Sequence, residues 1–378
     1  MIINLRILND SKMKTKDFLA LLAIAGIMIF ASCKKDDPSP LTKEEATATL
    51  TTIDGNYTAE MASLEALPGK QSINAINDLG LPFSTPMKAP AMQKSFQKDM
   101  LKIYKPASYL ASDGPFPDFA FYENVGTWHY VSGYWKKTST SPTDKIVIVF
   151  SFHGGSENAT LTYYGYDDKT ITVTGKTLTY MSQLSAKVDI VGETNPVMTW
   201  NYTASLSGSS SSGSGKIKFE YNIGEFSRTQ SLSISQSVVG LTSMKATITM
   251  SDEVKRNSAI IYSTSFTMNA TGGQSGSFSM TVNAKFRVID IVVKYDIIMD
   301  STTDFEGDPS HFMTVSVWTA GGAKIADVVF HNESGIWVAY FKFTDDSEVR
   351  VDSYLNENLY SQLSGFTEEI MSVFSEFF

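Results

Sequence analysis

The chain has 378 residues, with 31 Lys and Arg against 40 Asp and Glu and a net charge of −9 at pH 7. That balance argues against nucleic acid as a partner, because phosphate recognition needs a clustered basic face. A hydrophobic fraction of 42% and an aromatic fraction of 12% suffice for a large core and exclude general disorder.

The first element is a leader. Met13-Lys14-Thr15-Lys16 is a short basic segment, Phe18 to Phe30 is continuously apolar, and Ala31 and Ser32 are small. Together they predict a secretory signal peptide over 1–32, with Met13 the better start than Met1. The apolar run falls short of the ~20 residues a spanning helix needs. Cys33, the only cysteine of the chain, follows at once, so no intramolecular disulfide can form.

Phe30-Ala31-Ser32-Cys33 resembles a bacterial lipobox, with Phe30 in place of the usual leucine. Cys33-Lys34-Lys35-Asp36-Asp37 resembles the start of Bacteroidota-type outer-membrane lipoproteins, in which lysine followed by acidic residues accompanies display at the cell surface. The resemblance implies lipid attachment at Cys33 and localisation at the outer membrane, with the acylated cysteine as the membrane partner. Acyl chains there would anchor firmly at ~0.8 kcal/mol per buried CH₂. Cleavage before Cys33 removes Arg6, Lys12, Lys14, Lys16, Asp10 and Asp17 and leaves 27 basic and 38 acidic residues, a net charge of −11.

Residues 33–41 read as a lipidated, Pro-containing tether and 42–105 as an N-terminal helical segment. Thr42-Lys43-Glu44-Glu45 is a capping box. After it Ala46, Leu50, Ile53, Tyr57, Met61 and Leu64 recur at helical spacing. Gly55 weakens this helix, and Pro68-Gly69 ends it. Two shorter amphipathic stretches follow: Ile73, Ile76 and Leu79, then Met92, Phe96, Met100 and Ile103.

Residues 106–352 read as an antiparallel β unit. From about Gly126 the period becomes two. Trp200, Tyr202, Ala204 and Leu206 share a face, as do Ile217, Phe219, Tyr221 and Ile223. Leu232, Ile234 and Val238 oppose Ser231, Ser233, Ser235 and Ser237. Strands with one apolar and one Ser/Thr face predict a long antiparallel meander wet on one side, curved or open-barrel-like, without parallel βαβ crossovers. The run Ser207 to Gly215 suits a long hairpin tip better than an interdomain linker, because the flanking strands match in length. A parity switch follows Val288, where Ile289, Ile291, Val293, Tyr295, Ile297 and Met299 become the apolar set; no Gly or Pro intervenes, and a β-bulge accounts for it. Asp345-Asp346-Ser347 reads as a hairpin turn. Leu355, Leu359, Leu363, Phe366, Ile370, Val373 and Phe377 then predict a C-terminal helix over 353–378. The fold class is mainly β with flanking α, and this layout resembles uncharacterised lipoproteins of the same group, which implies no catalytic residues.

Candidate chemistry is sparse. His153-Gly154-Gly155 resembles the oxyanion loop of lipases, but Ser156 stands where a third glycine belongs and no Gly-x-Ser-x-Gly elbow exists. His129, His153, His311 and His331 show no metal-ligand spacing, so no metal, cofactor or catalytic residue is assigned. Asp300, Asp304, Glu306, Gly307 and Asp308 form an acidic loop that lacks EF-hand spacing; calcium and plain solvation both remain open for it. Asp300-Ser301-Thr302 resembles the O-glycosylation acceptor of Bacteroidota envelope proteins. Phe121, Tyr122, Trp128, Tyr130, Tyr134 and Trp135 are either core residues or a platform for sugar rings. Beside them, Glu123 and His129 mark the place where glycoside hydrolysis would sit if it occurs.

The sequence therefore reads as a non-enzymatic, lipid-anchored envelope protein that acts as a binding or structural module. Two alternatives stand beside it: a carrier of an apolar ligand between helices and sheet, for which 16 Met and 23 Phe supply lining, and a glycan-binding surface lipoprotein. Partners under these readings are the membrane through Cys33 and a glycan, an apolar ligand or an envelope protein.

Overall fold

A computed structural model of the chain describes residues 38–81 and 119–354, except 155, 174–175, 210, 240–242, 274–276 and 305–306. Cys33, the amphipathic stretch from Met92 to Ile103 and the C-terminal helix expected over 353–378 lie outside the described residues, apart from a single 3₁₀ turn at Val351–Ser353. Among the described residues the protein is mainly β, with sixteen strands whose registered pairs are antiparallel in all but one case, and two long helices precede them.

The chain divides into two compact units, one built from Met1–Tyr57 and Ser275–Phe378 and the other from Thr58–Gln274. In the first, α1 (Lys43–Glu65) begins at the expected capping box: Thr42 N donates to Glu45 Oε2 at 2.9 Å, and Glu45 N donates to Thr42 Oγ1 at 3.3 Å. Ala46, Leu50, Ile53 and Tyr57 are 0–9% exposed, so the first four residues of the predicted apolar row are buried, while Met61 and Leu64 are half-buried. The helix start is tied to the sheet end by Leu41 N donating to Lys324 O and by Thr344 Oγ1 donating to Leu41 O.

The sheet of this unit runs in chain order, β11 (Phe278–Val288), β12 (Ile291–Asp300), β13 (Met313–Thr319), β14 (Lys324–Glu333), β15 (Ile336–Lys342) and β16 (Glu348–Arg350). The parity switch after Val288 is not a bulge. Val288 pairs with Ile291, so Ile289-Asp290 is the two-residue tip of the β11–β12 hairpin, and turning the chain exchanges even for odd on the same face.

The second unit holds the end of α1, α2 (Pro68–Leu79), the single turn α3 (Phe121–Asn124) and ten strands: β1 (Gly126–Val131), β2 (Tyr134–Ser139), β3 (Ile146–Phe150), β4 (Ala159–Val173), β5 (Lys176–Ile190), β6 (Met198–Gly208), β7 (Ser212–Ile223), β8 (Phe226–Val239), β9 (Ser243–Arg256) and β10 (Ala259–Gly273). From β10 back to β3 neighbours in sequence are neighbours in the sheet; β1 then follows β3, and β2 forms the edge. The β1–β3 pair is parallel, the one departure from the antiparallel pattern among the described pairs; it is joined through β2 without a helix, so no βαβ crossover is formed. Ser207–Gly215 is a hairpin tip, as Gly208 pairs with Gly213.

Trp200, Tyr202, Phe219, Leu232, Ile234 and Ile248 are all at most 1% exposed and share the core face. Pro68 sits in the first turn of α2, where its missing N–H is harmless. Gly69 lets that helix approach the chain at Val197, and Ile76 is 1% exposed.

Candidate functional site

The aromatic region near β1 is divided by strand alternation. Trp128 pairs with Ile148 and with Lys137, and Tyr130 pairs with Trp135, so these residues lie on the core face of the sheet edge. The indole of Trp128 donates to Asn124 O at 2.9 Å, that of Trp135 donates to Gly80 O, and Lys137 Nζ donates to Glu123 O. The two indoles and Lys137 thus fasten α2 and α3 to the edge hairpin. His129 points to the opposite face, so Glu123 and His129 do not form the carboxylate–imidazole pair that the sequence marked for glycoside chemistry. His129 Nδ1 instead meets both oxygens of Glu157 at 2.8 Å, a partner 28 residues on that spacing did not reveal.

A second aromatic group stands on a β-bulge. The β4–β5 register slips between Tyr164 and Asp167, with Gly165 at φ +65°. The extra residue re-aims Tyr166. Its ring stacks on Phe121 at 4.6 Å and 2°, and Tyr122 meets it edge-on at 5.4 Å. Burial, and then the hydrogen bond to Asp168, raises the Tyr166 phenol above its ordinary value. Phe121 is 3% exposed while Tyr122 is 65% exposed, so of the expected platform Tyr122 offers a ring face to solvent here, as does Tyr134 at the β1–β2 tip.

The remaining candidates resolve into local structure. His153 takes φ +59° in the turn after β3, and its Nε2 lies 3.1 Å from Gln71 Oε1. In the acidic loop Asp300 Oδ1 accepts from Thr302 N and Oγ1, which holds its carboxyl below the usual range, and Asp308 accepts from Ser310 N. Both carboxylates thus serve turns. Among the described residues no three His, Cys, Asp or Glu side chains converge so as to hold a metal ion.

Other ionisable groups are joined across strands. Arg228 grips Asp252 through two bonds of 2.9 and 2.5 Å, and Gln230 Nε2 donates to the same carboxylate at 3.0 Å. Arg256 bridges Glu60 and Glu225, Arg350 bridges Glu333 and Asp352, and His331 Nε2 lies 2.5 Å from Glu348. A cleft of about 350 Å³ lies in the first unit, lined by Ala48, Thr49, Thr52, Ile53, Asn56 and the tip Ile289-Asp290-Ile291. Comparison of the chain with family models, curated proteins and solved structures finds no match.

Proposed function

We propose that the protein is a lipid-anchored envelope protein that acts as a non-catalytic binding or structural module, held at the outer membrane by acylated Cys33. The observation that carries the reading is the pairing of charge: Arg228 with Asp252, Arg256 with Glu60 and Glu225, and Arg350 with Glu333 and Asp352 act as cross-braces of a scaffold. Catalytic acids and bases need freedom to exchange protons with substrate, and such pairs hold them in one state. The cleft lining of Thr, Asn, Asp, Ala and Ile favours this module over an apolar carrier, which wants Met and Phe.

A second reading, glycan binding, is favoured by one place: Tyr122, exposed and braced by Phe121 and Tyr166, with the Asp168 carboxylate hydrogen-bonded to the Tyr166 phenol. Two measurements test the proposal. Cys33→Ser moves the protein from the membrane to the soluble fraction; retention in the membrane, with no acyl mass on the wild type, sinks the anchor. A glycan panel is then scored for binding and for cleavage. Binding lost in Tyr122→Ala without any cleavage makes the module a glycan receptor, and cleavage overturns the non-enzyme reading.

A further inference from the structure

The β11–β12 tip contains a conformational outlier. Two-residue hairpins require positive φ at the first central residue and take Gly or Asn there. The other described tips of this length carry Gly, Asn or Ser at that position, never a β-branched residue: Ser132-Gly133, Gly224-Glu225, Asn257-Ser258 and Ser334-Gly335. Gly224 at φ +57°, with no positive φ at Glu225, is the direct counterpart of Ile289 at φ +51° beside Asp290. A β-branched residue in the left-handed region is strained, and strain of that kind persists where a function or the surrounding structure requires it. The turn is held from both sides, since Ile289 O accepts from Arg287 Nε at 2.8 Å and Asp290 O accepts from Ala320 N at 2.7 Å.

What Ile289 gains is a place in the wall of the 350 Å³ cleft. The floor is apolar, since Ile53 and Ile291 are each 6% exposed. The polar wall consists mostly of acceptors. Thr49 Oγ1 donates its proton to Glu45 O at 2.8 Å, and Thr52 Oγ1 donates back to Ala48 O or Thr49 O at 3.3 and 3.2 Å, so both hydroxyls present only lone pairs outward. Among the described residues Asp290 is the one ionisable group of the lining, and Asn56 completes the rim. An apolar floor under acceptors and a carboxylate suits a donor-rich cation with a short aliphatic body.

The geometry points to a binding site in this cleft for a small organic ammonium compound, its cation at Asp290 and its aliphatic chain against Ile53, Ile289 and Ile291. The assignment deepens the module reading by giving it a ligand class, and it stands on the cleft, independent of the anchor and of Tyr122.

The test uses the full chain and n-butylamine, with 1-butanol and butyrate as isosteres, read by calorimetry or NMR titration. Butylammonium binds in the millimolar range or tighter, butanol at least tenfold more weakly, and butyrate not at all. Asp290→Asn removes the preference for amine over alcohol. Ile289→Gly raises the melting temperature by relieving the turn and weakens amine binding several-fold. Equal binding of amine and alcohol, no binding of the amine at millimolar concentration, or unchanged amine binding in either variant overturns the assignment. Its failure leaves the fractionation and glycan measurements untouched, so the two readings fail separately.

Discussion

Gly55 and Gly69 both lie within helices, and the same substitution at each is expected to act in opposite directions. In a helix interior Ala is favoured over Gly by ~1 kcal/mol. At Gly55, within α1, a Cβ would meet nothing within 4 Å, so Gly55→Ala collects that preference without a steric penalty. At Gly69, near the start of α2, an added Cβ would stand 2.9 Å from Ile223 Cγ2 and closer still to the carbonyl oxygen of Val197. A backbone oxygen cannot rotate away as a side-chain tip can, so α2 must lift from the sheet. Overpacking of this kind costs ~1–3 kcal/mol, more than the helix preference returns in a first turn. With ~2–4 °C per kcal/mol for a unit of this size, Gly55→Ala raises the melting temperature by a few degrees and Gly69→Ala lowers it by a similar or larger amount. Thermal unfolding followed by circular dichroism reads both. If Gly69→Ala melts at or above the wild type, α2 does not lie against Val197 and its docking is misread.

Further outcomes follow from the same contacts. Burial pushes the Tyr221 phenol up to about 12 and raises those of Tyr166, Tyr202 and Tyr295 further. A folded pKa above the unfolded ~10 gives stability that is complete below pH 10 and lost as pH rises through the folded value, by ~1.4 kcal/mol per pH unit for each of the buried Tyr202, Tyr221 and Tyr295, and by less for Tyr166, which solvent screens. Phenolate absorbance from these residues should therefore appear only with unfolding between pH 10 and 12; phenolates formed near pH 10 with native circular dichroism intact would refute the burial. Asp252→Ala leaves Arg228 without its bidentate partner and costs ~1–2 kcal/mol, discounted because the arginine is 45% exposed. Lys187→Ala, in a pair 38% and 40% exposed, changes stability by less than ~0.5 kcal/mol, so equal chemical denaturation midpoints for the two would contradict the contrast. Leu50→Asp places a charge at a site 4% exposed and lowers the melting temperature by several degrees; unchanged melting would mean that this face of α1 is free.

Much of the fold was legible because it is written locally. The Thr42–Glu45 box and the row Ala46, Leu50, Ile53 and Tyr57 specify α1 within a few turns, and both appear as expected. Alternation identified the strands because each has one wet face. It could not tell which strand β1 would join, since both sides of a hairpin carry the same pattern; the parallel β1–β3 pair is a tertiary choice. The His129–Glu157 contact was hidden for the same reason, being made between a strand and a loop 28 residues apart. Trp128, Tyr130 and Trp135 are half-buried, neither core residues nor an open platform, and the clasping of helix ends by the Trp128 and Trp135 indole N–H groups required the positions of Asn124 and Gly80.

The β11–β12 tip was misread for a different reason, and the reason is informative. Hairpin turns are found in sequence through Gly, Asn and Asp at positions that need positive φ. Ser132-Gly133, Gly224 and Asn257 obey that chemistry, so local sequence and backbone agree there. At Ile289 they disagree, and the apolar residue made an unbroken strand look plausible. A local choice that opposes the fold is maintained only if something outside the turn compensates it. Replacing Ile289 by Gly would satisfy the turn, yet it would remove the side chain that closes one wall of the Thr49–Asn56 cleft. The conflict thus separates two explanations by sign. If Ile289→Gly stabilises the protein and weakens the cleft, the isoleucine serves the cleft; if it destabilises the protein, the isoleucine serves packing, and the strain is offset within the core.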